Sequence, residues 1–115
     1  MDESKIELAD CLSICRVLNG MWQVSGSHGY NDPKKAIEEM LEYHNLGFTT
    51  WDLADIYGPA EAFVGKFRKA LEKLKGKNEL KNSQALTKFV PNPGPMTKSI
   101  VGNYIDKSLD KMNTN

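Results

Sequence analysis

The chain has 115 residues, the length of one ordinary domain, with 40% hydrophobic and 26% charged residues, a balance that suits a soluble globular fold and argues against disorder. Fifteen basic and fifteen acidic residues cancel to a formal net charge of zero, which removes the electrostatic case for nucleic acid or an anionic membrane as partner. No apolar run approaches the ~18 residues needed to span a bilayer.

The start, Met1-Asp2-Glu3-Ser4, is acidic and lacks an apolar stretch, so neither a secretory signal nor a basic transit peptide is expected and a cytoplasmic location is the default. Cys11 and Cys15 read as reduced structural thiols, and no metal site is expected from them. Residues 5–9 and 13–17 then read as a hairpin around a turn near Asp10. Residues 17–24 form a mostly apolar run, expected to be a buried strand, that ends in the flexible, glycine- and serine-rich stretch Ser25-Gly26-Ser27-His28-Gly29.

A first helix is well marked. Asp32 can cap it, Pro33 suits its first position, Ile37, Met40, Leu41 and His44 share a face, and Gly47 supplies the left-handed stop. His44 is expected to act as a favourable cation at the helix C-terminus. Residues 48–53 form a second strand. A second helix follows from about Pro59, with Phe63, Phe67, Leu71 and Leu74 as its stripe and Gly76 as terminator. Residues 85–90 form a third strand, and a proline-rich loop leads to a helix capped by Thr97, with Val101, Ile105, Leu109 and Met112 in register. Strand–helix alternation implies parallel strands with right-handed crossovers, in an open doubly wound sheet or a (β/α)8 barrel. Either one places ligand chemistry at the carboxyl ends of the strands, where Asp52, Tyr57 and Lys88 fall.

A phenol is a proton donor at neutral pH, a lysine cation favours its phenolate, and a carboxylate keeps that lysine charged. The three residues make sense as a unit that protonates a carbonyl oxygen during reduction, with the hydride supplied by a cofactor. On spacing alone the plainer alternative stands beside it: Asp52 caps a turn, Tyr57 packs there, and Lys88 is a solvated strand end. His28 reads as a loop residue, and Trp22 as core or pocket lining.

The string Gly47-Phe48-Thr49-Thr50-Trp51-Asp52-Leu53-Ala54-Asp55-Ile56-Tyr57-Gly58, followed by Glu61 and Gly65, closely resembles the aldo-keto reductase signature. Gly20-Met21-Trp22-Gln23 resembles that family's first barrel strand, Leu86-Thr87-Lys88 its lysine strand, and Ser108-Leu109-Asp110-Lys111-Met112 the end of its third helix. The hairpin resembles the one that closes the bottom of the family's barrel. The resemblance implies a (β/α)8 barrel that reduces aldehydes or ketones with NADPH and without metal. It implies Tyr57 as general acid, Lys88 as the group that lowers its pKa, and Asp52 as the group that orients Lys88. It also implies that Met21, Trp22 and Asp52 touch the cofactor. The spacing from Ala54 to Glu61 is one residue longer than in the aldose-reductase-like branch. Leu53 and Met21 also replace smaller or polar residues, so substrate preference does not carry over.

The family's fourth catalytic residue, a histidine on the next strand, would lie past Met112-Asn113-Thr114-Asn115, and a complete barrel takes ~250 residues. The expected architecture is therefore an incomplete barrel, with residues 5–17 as capping hairpin and 18–115 as three βα units. A truncated reductase with little activity and doubtful NADPH binding by itself is the leading expectation. The alternatives are a non-catalytic interaction or regulatory subunit that pairs with a full-length relative, and a small open α/β binding module. Open sheet edges also lead to the expectation that the polypeptide alone is marginally stable and self-associates.

Overall fold

The computed structural model describes residues 3–22 and 32–115. The glycine-rich stretch with His28, and the end of the expected strand at 23–24, lie outside the described residues. Strands β1 (Lys5–Ala9) and β2 (Leu12–Cys15) form the antiparallel hairpin, with Cys11 at φ 64° in the turn. Strands β3 (Asn19–Gly20), β4 (Thr50–Asp52) and β5 (Gln84–Leu86) form a separate parallel sheet in that order. Helices α1 (Pro33–Asn45) and α2 (Ala60–Lys75) supply crossovers, and α3 (Lys98–Lys111) follows β5. The expected alternation is thus present as an open three-stranded sheet, and the described residues form no closed barrel. The Cα radius of gyration is 14.7 Å, above the ~13 Å of a compact chain this long, as an open half-shell requires.

The helix ends follow from local chemistry. Asp32 Oδ1 accepts from the Lys34 amide at 3.1 Å with Pro33 at the first helical position, and Thr97 Oγ1 accepts from the Ile100 amide at 3.1 Å. Gly47 (φ 98°) and Gly76 (φ 90°) end α1 and α2 in backbone conformations closed to most L-residues. A short 3₁₀ helix, Lys77–Asn82, links α2 to β5 and was not evident in the pattern.

The core lies between the outer face of β4 and the helices. Trp51, Leu53, Phe63, Val64, Phe67 and Leu71 are all at most 3% exposed, and the Trp51 and Phe67 rings meet at 5.3 Å between centroids. Alternation along β4 sends Thr50 and Asp52 to the opposite face. There the Cys15 amide donates to Thr50 Oγ1 at 2.9 Å and Thr50 donates to Gln84 Oε1 at 3.0 Å, which ties the hairpin to the sheet. Cys15 Sγ donates to the Gly47 carbonyl at 3.2 Å and lies 3.2 Å from Thr49 Oγ1. Burial pushes this thiol's pKa up, but hydrogen bonds with Thr49 and Thr50, together with the Lys5 charge, outweigh burial and leave it below the ordinary value.

Several expectations are corrected. The hairpin's second strand stops at Cys15, and Val17 and Leu18, expected in a buried strand, are 62% and 39% exposed. Among the described residues of that run only Asn19 and Gly20 pair with β4, and the strand expected over 48–53 pairs only over Thr50–Asp52. The third strand spans Gln84–Leu86 instead of 85–90. Leu74 and Ile105 lie on the solvent side of their helices, 68% and 45% exposed, since no described element covers those turns. His44 stands in the last turn of α1, on the buried face it shares with Met40. It is 4% exposed, with Nε2 2.9 Å from Glu79 Oε1 and its ring against Phe67.

Candidate active site

Register brings the site together. Asp52 is opposite Leu86, so Lys88, two residues further along, is on the same side of the sheet as Asp52. The parallel ladder continues past β5 through Leu53 N–H to Leu86 O at 2.9 Å and Asp55 N–H to Lys88 O at 3.0 Å. Lys88 thus stands beyond the assigned strand end but still on its line. Its ammonium donates to Asp52 Oδ1 at 2.7 Å and to the Leu53 carbonyl at 2.6 Å. Both side chains are nearly half exposed, 47% and 45%, and an ion pair that open to water contributes only ~0–1 kcal/mol. The pair gives the ammonium a direction, toward Asp52, but is too weak to order the lysine side chain by itself.

Tyr57 sits in the turn after β4. Its amide donates to the Ala54 carbonyl at 3.1 Å, its carbonyl accepts from Ala60 at 3.0 Å, and Gly58 (φ 52°) lets the chain turn into α2. Two groups hold the ring. Lys88 Nζ lies 5.3 Å from its centroid, and the Trp22 ring meets it edge-on at 5.2 Å and 72°. Such contacts contribute about 0.5–1 and 0.5–1.5 kcal/mol, enough to favour one ring orientation. The structure therefore brings Asp52, Lys88, Tyr57 and Trp22 into one cluster at the carboxyl ends of β3, β4 and β5.

Met21 is placed differently. Its side chain is 4% exposed in the core, and its amide donates to the Asp52 carbonyl at 2.9 Å, extending the β3–β4 ladder. What Met21 offers the site is a fixed strand end. Trp22, at 47% exposure, shows an open ring beside Tyr57, and the half-exposed Asp52 carboxylate, bonded to Lys88 through Oδ1, stands at the same mouth. A flat apolar face next to a hydroxyl-accepting carboxylate suits the nicotinamide–ribose end of a dinucleotide.

Two further contacts were not readable from spacing. Thr87 Oγ1 donates to Glu61 Oε2 at 2.8 Å, with Glu61 2% exposed, and the Val90 amide donates to Asp55 Oδ1 at 3.1 Å. Both acids flank Tyr57 in sequence, Asp55 within the 47–58 string and Glu61 just after it.

The pattern that describes the aldo/keto reductase family matches residues 16–115. A 6-dehydroglucose reductase from Agrobacterium fabrum is 36% identical over 78 residues, covering 66% of this chain and 26% of that protein. Two solved structures, described as an aldo-keto reductase from Pseudomonas aeruginosa, superpose with TM-scores of 0.68 and 0.69 at 18% identity. They cover 97% of this chain and 44% and 43% of theirs, so the chain spans about a quarter to under half the length of these relatives. At that identity the superposition speaks for the fold alone, part of an aldo-keto reductase barrel. Given the family pattern over residues 16–115, the chain belongs to the aldo/keto reductase family.

Proposed function

We propose that this chain carries the proton-donating side of a carbonyl-reducing site, with an aldehyde or ketone as substrate and NADPH as reductant. The observation that carries the reading is the single cluster in which Lys88 bonds Asp52 at 2.7 Å while lying 5.3 Å from the Tyr57 ring. NADPH would supply a hydride to the carbonyl carbon. Tyr57 would give its phenolic proton to the carbonyl oxygen as charge develops there. Lys88 favours the phenolate left behind, and Asp52 holds the ammonium near the ring instead of in open solvent. Trp22 and the Asp52 carboxylate would orient the cofactor's nicotinamide and ribose. Family membership supports an oxidoreductase, and the donor cluster supports the roles.

The test is a chimera in which residues 16–115 replace the equivalent part of the Agrobacterium fabrum relative. NADPH oxidation with an aldehyde is then followed with Tyr57 intact and as Tyr57→Phe. A positioned general acid contributes ~10²–10⁴-fold, so the variant's kcat is expected to fall by that order. A folded, active chimera that keeps its full rate without the phenol would sink the reading.

A second reading, an interaction role with another copy or a full-length relative, draws on the open edges of β3 and β5 and on exposed Val90, Met96 and Tyr104 beside β5 and α3. Co-purification with a full-length reductase would separate it from the first.

A further inference from the structure

Lys88 lies two residues past Leu86, the last residue of β5 paired with β4, where the regular ladder thins out. Four contacts supply the missing restraint. Asp55 grips the segment at two points, donating its amide to the Lys88 carbonyl at 3.0 Å and accepting from the Val90 amide at Oδ1, 3.1 Å. Glu61, buried in the first turn of α2, accepts from the Thr87 hydroxyl at 2.8 Å, and Leu53 donates to the Leu86 carbonyl at 2.9 Å. The side-chain bonds fall on both sides of Lys88, one residue before and two after.

We propose that Asp55 and Glu61 are positioning residues that clamp the Thr87–Val90 segment so that the Lys88 ammonium reaches Asp52 and the Tyr57 ring. The proposal rests on the reading of Lys88 given above and adds two acids that touch no reacting atom. The physical case is one of burial and exposure. The Lys88–Asp52 pair is too open to water to position itself, and a long lysine side chain loses ~2 kcal/mol of rotamer entropy when fixed. Order must come from the backbone beneath it. Glu61 is suited to that task because a 2% exposed carboxylate without a donor would be costly, so the Thr87 bond is strongly enforced. Asp55 works from the opposite side through the backbone, and its requirement is an acceptor at Oδ1 and not a charge.

The experiment reads Lys88 directly, without turnover. In a proton–nitrogen correlation spectrum of the labelled 115-residue chain, an ammonium held by two hydrogen bonds exchanges slowly enough to be seen, and Lys88→Arg assigns it. Asp55→Ala and Thr87→Val are expected to abolish the Lys88 signal while the backbone amides of α2 stay in place. Asp55→Asn and Thr87→Ser keep the acceptor or the hydroxyl and are expected to retain it. If Asp55→Ala does not fold, Thr87→Val, close to the same shape, decides. Persistence of the Lys88 signal in the clamp variants, or its equal loss in Asp55→Asn, overturns the clamp alone. Absence of the signal in the unsubstituted chain overturns the Lys88–Asp52 pair, and with it both the clamp and the proposed function.

Discussion

Gly65 offers a test in which two physical effects compete in sign. It lies in the interior of α2, where replacing glycine by alanine ordinarily stabilises by ~0.5–1 kcal/mol through backbone entropy. Here a Cβ would overlap the Lys111 carbonyl oxygen outright, and would lie 3.1 Å from the Lys111 carbonyl carbon and 3.4 Å from that of Met112. All three are backbone atoms at the C-terminal end of α3, in Lys111 and its capping residue Met112, so no rotamer change relieves the clash and the backbone itself must move. Its displacement would disturb Met112, 3% exposed, and the Arg68 Nε–Asn113 carbonyl bond at 3.3 Å. Overpacking of this kind costs about 1–3 kcal/mol. Set against the propensity gain, Gly65→Ala should be destabilising by about 1–2 kcal/mol, a fall in Tm of roughly 5–10 °C for a domain of this size. Gly102, inside α3, is the internal control: a Cβ there meets no described atom within 4 Å. Gly102→Ala should therefore raise stability by ~0.5–1 kcal/mol. Thermal melts followed by far-UV circular dichroism compare the two, and hydrogen exchange of α3 amides localises the effect. If Gly65→Ala melts at or above the parent temperature, the close approach of α2 and α3 is wrong.

Two further outcomes are expected. Hydrogen bonds from His44 and then Asn82 hold the Glu79 carboxyl below its ordinary pKa, so it binds fewer protons folded than unfolded. Its contribution is complete above the unfolded value of about 4.3 and is lost as pH falls through the lower folded value; urea midpoints between neutral pH and about pH 3 should decline less steeply in Glu79→Gln, and equal slopes would refute the pair. The open edges of β3 and β5 should make the 115-residue polypeptide alone self-associate in sedimentation runs, whereas a monomer unfolding cooperatively near ~60 °C would contradict that.

What could be read from residue order was the local and the periodic. Asp32 with Pro33, Thr97, Gly47 and Gly76 mark helix ends because their bonds or dihedrals involve neighbours one to four residues away. The stripes through Phe63, Phe67 and Leu71, and through Met40, mark buried faces for the same reason. Strand lengths were not legible, because a strand ends where its partner ends: residues 85–90 looked extended, yet only Gln84–Leu86 find β4. Leu74 and Ile105 were misplaced, since exposure depends on which element lies opposite.

For the site, the sequence by itself determined the residue types and the family, through one contiguous string whose acid and phenol stand five residues apart. Tertiary structure alone decided that Lys88, 36 residues from Asp52, reaches it at 2.7 Å, and that Glu61 and Asp55 grip the segment bearing it. It also decided why Gly65 is glycine, since that depends on the α3 backbone running against it. Contacts between distant segments arise from sheet register and helix packing, which residue order encodes only through the whole fold.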